Sequence, residues 1–172
     1  MGIYEEISLN KRKSLLLIFL FIIIIVLLGY VFGLIFFDPV VGLAIAFIIS
    51  IIFTLISIFS GDKIILKVMN AKEAKKPEHT RLINIVEGLS IAAGIPVPKV
   101  YIIEEDSPNA FATGINHEKS SVTVTTGLLK MMNKNELEGV IAHEISHIKN
   151  YDIRFMLLVA TLVGISVLIS DM

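Results

Sequence analysis

The chain has 172 residues, 55% of them hydrophobic, and its mean hydropathy of +0.80 is well above that of an ordinary soluble domain. A formal net charge of −1 gives no reason to expect a nucleic-acid partner, and the absence of cysteine excludes disulfides and thiolate metal sites. Any metal must therefore be bound by His, Asp or Glu, and the lipid bilayer is the first expected partner.

Two long apolar segments open the chain. Residues 15–37 and 40–60 contain no charge, and at about 1.5 Å per residue each is long enough to cross a hydrocarbon core of roughly 30 Å. We expect Asp38 to cap the second helix and Pro39 to lie in its first turn. Residues 1–60 are thus predicted to be a membrane anchor of two transmembrane helices. A cleaved signal peptide is disfavoured, because the apolar run is too long and a second one follows at once.

Basic residues flank this predicted hairpin and are missing from its turn. They are Lys11, Arg12 and Lys13 before it, and Lys63, Lys67, Lys72, Lys75 and Lys76 after it. The positive-inside rule predicts a multi-pass protein of the plasma membrane whose remaining chain faces the cytoplasm. Residues 61–78 are expected to extend the second helix and then form a basic juxtamembrane linker. Within it, the cluster from Lys72 to Lys76 is expected to be solvated, with contact to anionic headgroups as its less favoured role.

Small and polar residues interrupt the two apolar segments at helical spacing. Gly29-x-x-x-Gly33 permits close helix approach, and Ser50, Thr54 and Ser57 share one face of the second helix. Packing of the two hairpin helices on each other is the favoured interpretation. Dimerisation, or a substrate groove in the bilayer, is the alternative.

Residues 79–152 predict a polar α+β domain. Apolar spacing, β-branched runs and turn residues predict its elements in order: a helix over 80–93, a strand over 99–104, a β-hairpin from 109–115 and 120–125, a helical turn over 128–132, and a helix from 134 to about 149. Asn133 and Glu136 are expected to form a capping box at the start of the last helix.

That last helix carries the motif His143-Glu144-Ile145-Ser146-His147. Histidines four residues apart lie one turn apart on one helix face, where both imidazoles can bind a single Zn²⁺. Glu144 is rotated by about 100° from His143, so it faces a metal-bound water rather than the metal. Two surface histidines beside an ordinary glutamate are the alternative, which the position of the motif mid-helix and beside a strand pair disfavours. A site-2-type intramembrane protease is a weaker alternative, because charges occur throughout this helix.

Residues 155–169 form a third apolar stretch, and residues 153–172 are predicted to be a third apolar helix. Its length fits a buried helix or a short transmembrane one, and its lack of charge favours the membrane.

Three segments resemble the HtpX-type membrane metalloproteases, relatives of the CAAX prenyl endopeptidases. They are Asn109-Ala110-Phe111-Ala112-Thr113-Gly114, residues 122–129 and residues 136–152. The resemblance implies a zincin-like domain with one Zn²⁺ per subunit, and a zinc endopeptidase that cuts misfolded or damaged membrane proteins. It also implies His143 and His147 as metal ligands and Glu144 as the catalytic base. Residues 79–152 would be the metallopeptidase core, with proteins or peptides as substrates.

Two further residue roles are left open. Asp152 matches an acidic position of the family pattern; it is either a partner that orients a ligand imidazole or a cap at the helix end. The strand over 109–114 is either an edge to which an extended substrate adds by β-augmentation, which is slightly favoured, or simply half of a hairpin.

The sequence departs from the family in its third zinc ligand. A catalytic zinc needs three protein ligands, and the resemblance implies a glutamate from a helix further downstream than Met172. Asp171 would be separated from the metal by a helix of about 25 Å, and His117 is expected to be a solvated turn residue. We therefore expect a C-terminally truncated enzyme. The alternative is a catalytically silent form that binds substrates or partners at the membrane.

Overall fold

The computed structural model describes residues 3–170, with the side-chain surroundings of residues 5–162. The elements follow in chain order: α1 (Ile3–Phe36), α2 (Pro39–Val68), β1 (Lys72–Glu73), α3 (Thr80–Ala93), β2 (Lys99–Ile103), β3 (Ala110–Gly114), β4 (Ser120–Thr125), α4 (Thr126–Met131), α5 (Lys134–Asn150) and α6 (Asp152–Ser170). The order matches the α+β class expected from the sequence.

Helices α1 and α2 form the predicted hairpin. The Asp38 carboxylate accepts hydrogen bonds from the amides of Val40 and Val41, both at 2.9 Å, and Pro39 is the first helical residue. The predicted cap is therefore confirmed. Both helices extend beyond the apolar segments, at the N-terminal end of α1 and the C-terminal end of α2, and both are long and apolar enough to cross a membrane.

Glycine permits the close approach of the hairpin helices. A Cβ on Gly42 would lie 2.9 Å from the Gly33 Cα, and a Cβ on Gly33 would lie 2.9 Å from the Pro39 Cα. Gly29 similarly faces Ala46. These contacts confirm the favoured interpretation for the glycines, which is packing within the hairpin.

The polar face of α2 is buried and serves two contacts. Ser50 and Ser57 are fully buried, and the Thr54 hydroxyl donates to the carbonyl of Ser50 at 2.8 Å. Ser57 forms a hydrogen bond with Thr161 of α6. The C-terminal part of this face, at Ser57, therefore packs against α6, a contact that the sequence did not predict.

The four-stranded sheet has the order β1-β2-β4-β3. Strands β3 and β4 form the predicted antiparallel hairpin, with Ala112 opposite Val122, whereas β2 runs parallel to β4. Strand β1 lies in the segment expected to be irregular linker, so that expectation was incomplete. One face of the sheet packs on α3 and α5 through an apolar core. Its fully buried members include Val86, Val122, Val124, Leu137, Ile141 and Ile148.

The third apolar segment is helical, as predicted. The start of α6 is buried by the rest of the chain, with Ile153 and Leu158 fully inaccessible. Among the residues open to description, only α1 and α2 meet the length and hydropathy expected of a membrane span. A spanning α6 therefore stays a prediction, and Asp171 lies outside the described residues.

Substitution of Gly42 by Ala is expected to destabilise the protein by about 1–3 kcal/mol, because the added methyl group collides with the backbone of α1. Gly88 on α3 is a matched control, since a Cβ added there would have no neighbouring atom within 4 Å. Gly88→Ala should stabilise by up to about 1 kcal/mol through helix propensity. Thermal unfolding in detergent measures both, and a neutral Gly42→Ala would contradict the packing.

Candidate active site

The rotation of α5 about its axis is fixed by its ends and its buried stripe. The Asn133 carboxamide accepts from the amides of Asn135 and Glu136 at 2.9 and 3.1 Å, and the Glu136 carboxylate accepts from the Asn133 amide at 2.8 Å. This is the predicted capping box. Leu137 and Ile141 are fully buried in the core. The motif residues therefore lie on the two faces that flank this stripe.

His143 and His147 come together on the surface of α5. Their ring centroids are 4.6 Å apart and their Nε2 atoms are separated by 3.1 Å. Two nitrogens bound to one tetrahedral Zn²⁺ at roughly 2.0–2.1 Å would be about 3.3 Å apart. The two imidazoles therefore fit a shared metal ion with little rearrangement.

Asp152 contacts the second histidine. Its Oδ2 accepts a hydrogen bond from the His147 Nδ1–H at 2.7 Å, which leaves the lone pair of neutral His147 on Nε2. Helix α5 ends at Asn150, and Asp152 is the first residue of α6. Between them lies Tyr151, whose φ of 61° is in the left-handed region. The contact with the imidazole is therefore present, and the orienting role of Asp152 stays a prediction.

The side chain of Glu144 lies between α5 and the sheet, and 8% of the residue's surface is exposed. Burial raises the pKa of its carboxyl above the ordinary value of 4.5. Three neighbours reduce this rise: His147, a hydrogen bond from the Ala112 backbone, and His143. Strand β3 thus holds the carboxylate in place. A raised pKa favours a group that gains a proton during turnover.

Other acidic and histidine side chains of the domain lie away from the motif. Glu104 pairs with Lys72 at 2.6 Å, and His79 lies 3.9 Å from Glu78. Across the described side chains, no group of three His, Asp or Glu residues is arranged to hold a metal ion.

His117 differs from its predicted role as a solvated turn residue. Its ring is half-buried and lies 4.2 Å from the ring of Tyr151, and its Nε2 is 3.1 Å from the carbonyl oxygen of Lys149. The β3–β4 turn therefore contacts the C-terminal end of α5. That end leaves carbonyls unpaired within the helix, which makes it a favourable position for a ring N–H donor.

The N-terminal part of α1 also contacts the end of α5. The Asn10 side chain donates to the carbonyl of Asn150 at 3.0 Å, and the Lys11 ammonium lies 4.4 Å from the centre of the Tyr151 ring. Sequence reasoning missed these residues, because no local pattern links positions 140 residues apart. The unpaired carbonyls expected at any helix end were the only available signal.

A family model described as Peptidase family M48 matches residues 76–170, which is more than half of the chain and includes the whole motif. The chain belongs to peptidase family M48. This M48 member is therefore placed in a metalloprotease family, and its two long apolar helices fit a membrane protein.

Curated relatives agree with this placement. The Protease HtpX homolog of Dictyoglomus thermophilum is 46% identical over 168 residues, covering 98% of this chain and 55% of the relative. Those of Listeria monocytogenes and Streptococcus gordonii are 43% and 42% identical, again over 98% of this chain, and it covers 56% and 57% of them. The M48 chain thus spans about half the length of these relatives.

Replacing Glu144 by Gln is expected to raise the Tm of the metal-free protein by about 2–4 °C near pH 8, because the buried ionised carboxylate is costly. A folded-state pKa above the unfolded value makes this cost greatest at pH values above the folded pKa. The gain should vanish below the ordinary pKa of 4.5. Thermal unfolding across pH measures it. Glu138→Gln, an exposed site on the same helix, is the control, and equal gains in both variants would contradict the prediction.

Proposed function

We propose that this chain carries the catalytic core of a membrane-bound, zinc-dependent endopeptidase. The observation that carries the proposal is the pair of Nε2 atoms of His143 and His147, 3.1 Å apart, beside the buried carboxylate of Glu144. His143 and His147 would be the metal ligands, with one Zn²⁺ per chain. Membership in family M48 supports the same chemistry.

The division of labour follows from where each side chain lies. Bound Zn²⁺ would lower the pKa of a coordinated water and polarise the scissile carbonyl. Glu144 would take the proton of the attacking water and deliver it to the leaving amine. Its burial and its hydrogen bond from Ala112 hold the carboxylate in one position, so little reorganisation is needed as the proton moves.

Asp152 would act through His147. Its carboxylate fixes the ring orientation and directs the Nε2 lone pair outward, and such partners raise the basicity of a metal-binding imidazole. The left-handed Tyr151 turns the chain sharply between α5 and α6, which places Asp152 beside the histidine.

Strand β3 is at the edge of the sheet beside α5. The amide of Thr125 donates to the carbonyl of Asn109. Because alternate residues of a strand direct their N–H and C=O groups to the same side, the backbone groups of Phe111 and Thr113 point to β4, and those of Ala110 and Ala112 point away from it. An extended substrate segment would add to this edge near Ala110 by β-augmentation. The strand would then present a peptide bond to Glu144.

The proposed substrates are misfolded or damaged membrane proteins, and the proposed location is the plasma membrane with the site on the cytoplasmic side. The two apolar helices support a position in the bilayer, and the lysines and arginine that flank the hairpin support the orientation. A site tied to the membrane favours substrates that are themselves membrane-bound.

A catalytically silent protein that binds substrates or partners is the second candidate. It is favoured by one observation, that the described side chains hold two histidines of the motif but no cluster of three ligands. Zinc content separates the two candidates. One tightly bound Zn²⁺ per chain supports the enzyme, whereas a chain that purifies without zinc and cleaves no casein supports the silent form.

Glu144→Gln is expected to lower the rate of casein cleavage by at least about 100-fold while zinc content is retained, because the base is lost and the ligands remain. His147→Ala should remove both zinc and activity. The matched control is Glu138→Gln, which should retain both. Cleavage at equal rates by wild type and Glu144→Gln would overturn the role of Glu144.

Asp152→Asn is expected to weaken zinc binding by about 10- to 100-fold, because the amide cannot stabilise His147 as a carboxylate does. Competition with a chromophoric zinc chelator measures the affinity, and circular dichroism verifies the fold. Asp106→Asn serves as a control, since that carboxylate is exposed and pairs with Lys130. Unchanged zinc affinity in Asp152→Asn would contradict the positioning role.

A further inference from the structure

A cavity of about 270 Å³ lies between the C-terminal part of α2, the start of α6 and the sheet. It lies across the sheet from α5, because Val122 of β4 points into the core shared with α5 and its neighbour Ser121 points the other way. The cavity is therefore separate from the candidate active site. Its lining combines an apolar wall from the helices with a polar wall from the strands: Ile58, Phe59 and Leu157 on one side, and Lys99, Tyr101 and Ser121 on the other.

The polar wall contains a buried hydroxyl without a protein partner. Ser121 is 5% exposed, and across the described residues its Oγ makes no hydrogen bond. A buried hydroxyl left unpaired costs free energy of about 1–3 kcal/mol. A polar group bound in the cavity would remove that cost.

Charged side chains of both signs line the same cavity at its exposed side. Lys63, Lys99 and Lys119 line the cavity together with Asp62 and Glu118. Within the described part of the chain, none of these five takes part in an ion pair. The cavity therefore offers ammonium groups to an anion and carboxylates to a cation, and it leaves both without partners.

The cavity lies where the apolar part of α2 ends. Ile58 and Phe59 close the apolar segment, and Asp62 and Lys63 are the first charges after it. In a helix that crosses the bilayer, this position is the depth of the lipid headgroups. Phe59, of which 67% is exposed, would face the acyl chains next to the headgroups.

We propose that this cavity binds the headgroup of an aminophospholipid. The lysines and the Ser121 hydroxyl would bind the phosphodiester, and Asp62 and Glu118 would accept hydrogen bonds from the primary ammonium group. Charge complementarity selects this ligand, because a purely anionic headgroup would leave both carboxylates opposed to its charge. Basic pockets at the membrane surface are known to bind lipid phosphates in this manner.

The test is lipid binding to the purified chain in detergent, followed by native mass spectrometry. The probes are dioleoyl phosphatidylethanolamine, dioleoyl phosphatidylcholine, dioleoyl phosphatidylglycerol, dioleoylglycerol and inorganic phosphate. Phosphatidylethanolamine should bind about tenfold more tightly than phosphatidylcholine, whose quaternary ammonium cannot donate a hydrogen bond. Dioleoylglycerol and inorganic phosphate should each bind more weakly, since each lacks part of the ligand.

Two variants and one control test whether the lipid binds in this cavity. The double substitution Lys63→Gln/Lys119→Gln should weaken phosphatidylethanolamine binding by about tenfold. The matched control Lys67→Gln/Lys130→Gln removes the same charge from exposed lysines outside the cavity, and it should change binding less than twofold or so. Ser121→Ala should weaken binding by about threefold without lowering Tm, because it removes an unpaired hydroxyl.

Several results would overturn the proposal. Equal losses in the two lysine doubles would mean that general surface charge binds the lipid. Tighter binding of phosphatidylglycerol than of phosphatidylethanolamine would exclude the role of the carboxylates, and phosphate binding equal to that of the lipid would identify a free anion as the ligand. None of these outcomes depends on peptidase activity.

Discussion

The burial of one stripe of α5 is the constraint on which the candidate site depends. Leu137, Ile141 and Ile148 are fully buried against α3 and the sheet, so the helix cannot rotate without exposing them. With that rotation fixed, the two histidines face outward and Glu144 faces the edge of the sheet. The chemistry of the site is therefore a consequence of how the core is packed.

Fixing Glu144 in this way has an energetic cost, since a carboxylate with 8% of its surface exposed is poorly solvated. The hydrogen bond from Ala112 and the neighbouring His147 and His143 offset part of the cost. Under the proposed role of Glu144, the protein would give up some stability at this position to hold the base in place, a balance that is common in active sites. The same strand that supports Glu144 also presents the free edge proposed for substrate.

Local signals predicted most of the fold. The Asp38 cap, the capping box at Asn133 and the β3–β4 hairpin each depend on residues within a few positions of one another, and each is present. The parallel pairing of β2 with β4, the contact of Ser57 with Thr161 and the contact of Asn10 with Asn150 were not predicted. Such contacts join distant segments, and apolar periodicity carries no information about which segments meet. The motif predicted His143 and His147 as neighbours for the same local reason, whereas the contact of Asp152 with His147 depends on the left-handed turn at Tyr151.

The contact between Asn10 and the end of α5 has a geometric consequence. Asn10 precedes the apolar segment of α1 by five residues, about 7.5 Å of helix, and His147 lies one turn before Asn150. With residues 15–37 in the bilayer, the histidines are held at a set height, on the order of 10 Å above the hydrocarbon boundary. For the proposed endopeptidase, this height would set which bonds come within range: a peptide bond would have to emerge from the membrane by a few residues before it reached the histidines.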